Sequence, residues 1–233
     1  DVVVERLHIE EPEPPAPVTE PEKTFEEVLD EHPVSIQVNG QWQTFPNAKA
    51  AEEASYEEYK ANLRRNAKNF RITDEHLGEG GPKAKFQANV NAIRLLKELE
   101  AAGQQASPEQ QEVLSRYVGW GGLSDAFDPE KPAWALEYAQ LKELLTPEEY
   151  AAARSSTLNA HYTSPTVIQA IYEAVDRMGF ETGNILEPSM GVGNFFGMLP
   201  EKMRNSRLYG VELDPVSGRI AKQLYPKADI TVG

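Results

Sequence analysis

The sequence predicts an α/β chain, in which a half-sheet of three parallel strands is preceded by a mostly helical region that opens with a small hairpin. Three observations predict it. First, NILEP (184–188), RLYGVELD (207–214) and ADITVG (228–233) are short apolar runs separated by helical segments. Strands alternating with helices form parallel βαβ units with right-handed crossovers. Second, FQANVNAIRLLKELEAAG carries apolar residues at 86, 90, 93, 95, 96 and 99, a helical stripe closed by Gly103. Third, VSIQV-NG-QWQTF (34–45) alternates apolar and polar residues around Asn39-Gly40, the pair suited to a tight type I′ turn.

In chain order, residues 1–33 read as an acidic linker, because IEEPEPPAPVTEPEK (9–23) is too polar to bury and too rich in proline for a helix. Residues 34–154 form the helical region: the hairpin, a helix of roughly five turns to Asn69 and, after the loop GEGGPK (78–83), the striped helix. Ser107-Pro108-Glu109-Gln110 opens the next helix with a cap, a first-turn proline and a glutamine to complete a capping box, and Thr146-Pro147-Glu148-Glu149 repeats the device. Between them YVGWGGLSDAF (117–127) is glycine-rich but lacks the lysine and hydroxyl of a phosphate loop. It reads as a turn that packs Trp120 closely, with base stacking by Trp120 as the alternative. The third region, 155–233, begins with a helix capped by Ser164-Pro165, apolar at Val167, Ile168, Ile171, Val175 and Met178 and ended by Gly179. NILEP is then expected as a buried strand, with GNFFGMLPEKM starting the helix behind it.

Composition removes several classes of function. The 233 residues include no cysteine, which excludes disulfides and thiolate-bound zinc, and four scattered histidines offer a metal little. No window approaches a membrane span and the first residues lack a signal-peptide pattern, so a cytoplasmic protein without membrane contact is expected. The formal charge of -14 is unevenly distributed. Residues 1–31 hold eleven acids and two bases, whereas 60–97 hold nine bases and three acids. That basic stretch, with Arg64, Arg65 and Lys68 as its candidate DNA-binding residues, is either a DNA-tracking segment or a solvated face.

The chemistry gathers at the carboxyl ends of the first two parallel strands, where ligands bind in such sheets. In ILEPSMGVGNFF (185–196), Gly191 and Gly193 permit close backbone approach, and the following helix is expected to turn its free N–H groups toward the same spot. Glu212 ends the second strand, nineteen residues after Gly193, where one carboxylate can hold both hydroxyls of a ribose. Position 196 is Phe where a dinucleotide fingerprint needs its third glycine, and Glu187 would repel a pyrophosphate. Both details disfavour NAD and favour a ligand with positive charge, such as a sulfonium with an amino-acid tail. Another α/β domain with a tight strand–helix turn is the plainer alternative.

NAHYTSP (159–165), LEPSMGVGNF (186–195) and LYGVELDP (208–215) resemble, in order and spacing, the first landmarks of S-adenosylmethionine-dependent DNA methyltransferases that modify adenine N-6. This likeness covers residues 155–233. With NFRITDEHLGEGGPKAKF, YVGWGGLSDAFD and LLTPEEYAAARSSTLNAHYTSP, residues 69–233 resemble the methylase-like region of large helicase-methylase proteins of conjugative elements and phages. The resemblance implies a Rossmann-like half-sheet, S-adenosylmethionine as cofactor and DNA as partner. It implies that Tyr162 and Thr163, beside His161, contact the methionine end of the cofactor. Glu187, Gly191, Gly193, Asn194 and Phe195 match the first cofactor loop, and Glu212 the ribose-binding acid. Met190 and Val192 depart from the small residues usual in that loop, and Met190 is expected to narrow the pocket.

Such enzymes carry a [DNS]-P-P-[YFW] segment after the fourth strand, and none occurs here. The catalytic half is therefore expected elsewhere in a parent chain, and this chain alone is expected to be inactive. Three readings stay open: the cofactor-binding half of an adenine methyltransferase-like domain, a degenerate methylase fold that serves a helicase as a DNA- or partner-binding scaffold, and a Rossmann-type enzyme for another nucleotide. The partners expected are DNA, the methylase C-terminal half and the helicase domain of the parent, together with a second copy through an unpaired edge at 184–188.

Overall fold

The computed structural model describes residues 33–233 apart from 67, 159 and 161, with the backbone alone for 59–66. The expected linker therefore lies outside the described residues, except for Pro33. The chain divides into two compact units, with the boundary after Lys60.

In the first unit, β1 (Val34–Val38) pairs antiparallel with β2 (Gln41–Phe45) in the register Val34↔Phe45 to Val38↔Gln41. Asn39 and Gly40 have φ of 52° and 75°, the two positive angles that a type I′ turn requires. Helix α1 (Ala48–Asn66), whose last residues belong to the second unit, begins where the Asn47 side chain accepts a bond from the Ala50 amide at 2.8 Å.

The second unit is built on α2 (Pro82–Ala101). Its Phe86, Val90, Ile93, Leu96 and Leu99 are buried on one face, while Leu95 is only partly so. Helix α3 (Pro108–Ser115) packs against α2, with its capping box formed by Ser107 and Gln110 as the sequence predicts. Helices α4 (Ala135–Leu144) and α5 (Pro147–Ser156) follow, the latter opened by the second capping box, Thr146 with Glu149. The turn 117–122 lies in the middle of this core. Trp120 is 1% exposed and meets Phe86, Tyr117 and Phe127 edge to face, so close packing is its role and base stacking is ruled out.

The parallel sheet forms from β3 (Asn184–Glu187), β4 (Arg207–Glu212) and β5 (Asp229–Val232), in that spatial order. Registers run from Asn184↔Arg207 and from Tyr209↔Asp229. Helix α8 (Pro215–Leu224) crosses between β4 and β5 and also packs on α2, α3 and α5, which joins the sheet to the helical core. Segment 69–72 reinforces that junction, with the Phe70 amide on the Leu224 carbonyl at 2.8 Å and the Ile72 amide on the Gly197 carbonyl at 2.9 Å.

Three expectations are corrected. β3 has the unpaired edge expected at 184–188, pairing among the described residues with β4 alone, but it is not the buried strand expected, since Leu186 is 62% exposed. Helix α6 (Pro165–Arg177) starts at Ser164 as expected, but the serine side chain makes no capping bond. Of the apolar positions assigned to it, Ile168 is buried whereas Val167, Ile171 and Met178 are exposed. Finally, the helix after the glycine turn is one turn long, α7 (Asn194–Gly197), because Leu199-Pro200 redirects the chain into a 3-10 turn at Glu201–Met203. A single turn sums too few peptide dipoles to act as an anion site.

Candidate functional site

A cavity of about 470 Å³ opens at the carboxyl ends of β3 and β4. Glu187 lines it from the end of β3, Gly191 from the turn that follows, Asn194 from the start of α7, Glu212 from the end of β4, and Tyr162 and Thr163 from the segment before α6. Six of the eight sequence-predicted cofactor residues are therefore in one place by this lining, and Phe195 makes a seventh. Gly193 does not line the cavity. His161 lies outside the described residues.

The turn is built by exchange of backbone bonds between neighbouring strands. The Met190 amide donates to the Val211 carbonyl at 3.1 Å, which carries the β3–β4 pairing past the end of the strand. Gly191 and Gly193 adopt φ of 57° and 85°, where an L side chain is strained. What approaches these glycines closely is the protein itself. A Cβ on Gly191 would stand 2.9 Å from the Tyr162 ring, and one on Gly193 would stand 2.5 Å from the Tyr225 ring. Met190, expected to narrow the pocket, is 5% exposed and directs its sulfur and methyl toward the bare α-carbons of Gly210 and Gly193. The missing side chains at 193 and 210 explain why a large residue fits at 190.

The two carboxylates differ in environment. Glu212 accepts one backbone bond on each oxygen, from Gly191 at 2.6 Å and from Asp214 at 2.8 Å. These bonds fix the carboxylate and leave lone pairs on both oxygens free for further donors. Glu187 is half-buried, and burial alone pushes its carboxyl up to about 7. Nearby, the Tyr172 hydroxyl donates to the Phe195 carbonyl at 2.7 Å, and burial raises that phenol with Glu187 adding to the effect. The Tyr162 hydroxyl meets Ser217 at 3.2 Å, and burial raises it well above the usual phenol range even though the Ser217 bond acts in the opposite direction. Among the described residues, Glu187 has no compensating cation beside it, whereas Glu212 presents a braced acceptor.

The sequence reading missed the opposite wall. Tyr117 and Gly119 from the aromatic turn, and Ala152, Ser155 and Ser156 from α5, complete the cavity. The signal was Gly119 in YVGWGG, a glycine without a phosphate-loop partner.

The basic stretch is only partly free. Lys83 pairs with Glu137 at 2.6 Å and lies over the Trp134 ring, Lys97 pairs with Glu149 at 2.8 Å, and Arg71 donates to the Leu199 carbonyl at 3.3 Å. Lys68 is exposed, while the side chains of Arg64 and Arg65 lie outside the described residues. Among the described residues no cluster of three His, Cys, Asp or Glu side chains is placed to hold a metal, and no helix is long and apolar enough to cross a membrane.

No family model matches the chain, and no solved structure matches it. Two curated proteins are similar to parts of it. Over 155 residues it is 24% identical to defense against restriction protein B of Escherichia phage P1, which covers 66% of this chain and 5% of that protein. Over 43 residues it is 46% identical to the type II methyltransferase M.CvrRI of Paramecium bursaria Chlorella virus XZ-6E, which covers 18% of this chain and 11% of that enzyme. The chain therefore spans a small fraction of either relative. The likenesses are distant and short, and they point to a methylase-like ancestry.

Proposed function

We propose that residues 155–233 are the cofactor-binding half of an S-adenosylmethionine-dependent, adenine-specific DNA methyltransferase-like domain with a Rossmann-like half-sheet, within a larger helicase-methylase protein of a mobile element. The observation that carries the proposal is the convergence of Glu187, Glu212, Tyr162 and Thr163 on one cavity at the carboxyl ends of two parallel strands. Its volume falls within the range of small-molecule sites. The short similarity to a methyltransferase supports the same reading.

The residues fit the group's chemistry. Glu212, held by two amides, has lone pairs for both ribose hydroxyls through charge-assisted bonds. Glu187, half-buried and without a cation beside it among the described residues, gains from a positive charge placed there. Asn194, Phe195 and Thr163 line the same cavity as the two acids. When bound, the cofactor supplies an activated methyl group on a sulfonium. Gly193 enters the proposal only as a shaper of the turn. The proposal concerns binding, since no [DNS]-P-P-[YFW] segment occurs in the sequence. DNA, the parent's other domains and a second copy remain proposed partners.

Ligand-observed NMR with S-adenosylmethionine, with NAD in parallel, tests the reading. Saturable binding of the first alone supports it. Binding of neither leaves the degenerate scaffold, and binding of NAD transfers the site to another nucleotide.

A further inference from the structure

We infer that Tyr162 is a positioning residue, a wedge through which the helical region sets the ligand-facing turn; the inference rests on the cofactor reading above. The Tyr162 ring lies between two glycine α-carbons from distant parts of the chain. A Cβ on Gly119 would stand 2.5 Å from its Cε2, and a Cβ on Gly191 would stand 2.9 Å from its Cε1. Both glycines have positive φ, 68° and 57°. The ring thus fills the space that a side chain at either position would take, and neither wall can approach further. The Ser217 hydroxyl at 3.2 Å and the Tyr117 ring, edge to face at 6.4 Å, fix its remaining sides.

Each glycine is anchored in turn. Asn89, fully buried on α2, donates to the Gly119 carbonyl at 2.6 Å and accepts from the Val118 amide at 2.9 Å. Displacing that peptide would leave buried polar groups unsatisfied, so the turn is held firmly against α2. On the other side, the Gly191 amide donates to Glu212 at 2.6 Å. A continuous series of contacts therefore runs from Asn89 through Gly119, Tyr162 and Gly191 to the carboxylate proposed to hold the ribose. The glycine in YVGWGG is explained by the ring it admits, and the helical region becomes one wall of the site.

Hydrogen exchange and ligand titration on the full 233-residue chain test the wedge. In Tyr162→Leu and Gly119→Ala the Gly191 amide is expected to exchange about tenfold faster relative to the Gly193 amide, which donates to Met190 instead. Each variant should weaken S-adenosylmethionine binding about tenfold, equivalent to about 1.4 kcal/mol. Tyr162→Phe keeps the ring and should restore both readouts. If Gly119→Ala fails to fold, Tyr162→Leu carries the test. Unchanged Gly191 protection overturns the wedge, as does faster exchange without weaker binding. Should the native chain bind no S-adenosylmethionine, the cofactor reading fails and the exchange result alone decides the wedge.

Discussion

Glu187 and Glu212 end adjacent strands, yet their surroundings give them different behaviour. Glu212 is held in place by bonds from two amides, whereas burial pushes the Glu187 carboxyl up to about 7. A carboxyl raised on folding contributes stability that is fully present below its unfolded value and lost as pH rises through about 7. The ligand-free protein should therefore be less stable at pH 8 than at pH 6 on this account, and Glu187→Gln should remove that decline in thermal denaturation. Binding of a cationic ligand has the opposite dependence, because only ionised Glu187 attracts it. Affinity for S-adenosylmethionine should rise between about pH 6 and pH 8, and Glu187→Gln should flatten the profile. A native profile with no slope would remove Glu187 from the site.

At the scale of elements, β3 joins the sheet on one side only among the described residues, and its Leu186 is exposed. A strand with unpaired N–H and C=O groups recruits another strand. Concentration-dependent self-association is expected in light scattering, reduced by Leu186→Lys. A strictly monomeric species at high concentration, with amides 184–188 exchanging rapidly, would count against it. The sequence showed the period of every parallel strand and both capping boxes because each is a local pattern. It could not show that Leu186 on that expected edge is exposed, since an apolar run has the same composition when covered and when open. The length of α7 was also hidden, because NFF reads as the start of a helix until Pro200 is seen to redirect the chain. Gly193 shows the same limit within the site: a glycine that admits a ligand and one that admits Tyr225 are identical in sequence.

For the whole molecule, the formal charge of -14 opposes nucleic acid, and internal ion pairs take Lys83 and Lys97 out of the basic stretch. Any contact with DNA should therefore be weak, indifferent to sequence and steeply reduced by salt, since each neutralised phosphate releases counterions. Replacing Arg64, Arg65 and Lys68 together with Glu should abolish it in an electrophoretic shift assay. Unchanged affinity would return the stretch to a solvated face. The helical region's part in the cavity was the least legible feature, because Tyr117, Gly119 and Ala152 come to line it only after the chain has folded across long sequence separations.

The central claim is that the cavity at the ends of β3 and β4 holds S-adenosylmethionine, and calorimetric titration of the native chain and Glu212→Ala near pH 8 tests it most directly. The native chain should show saturable binding near the millimolar range, about -4 kcal/mol. Glu212→Ala should lose roughly 1.5–3 kcal/mol, the range for hydrogen bonds to a charged group, and with it nearly all measurable heat. Absence of saturable binding to the native chain, or equal binding by Glu212→Ala, would contradict the claim.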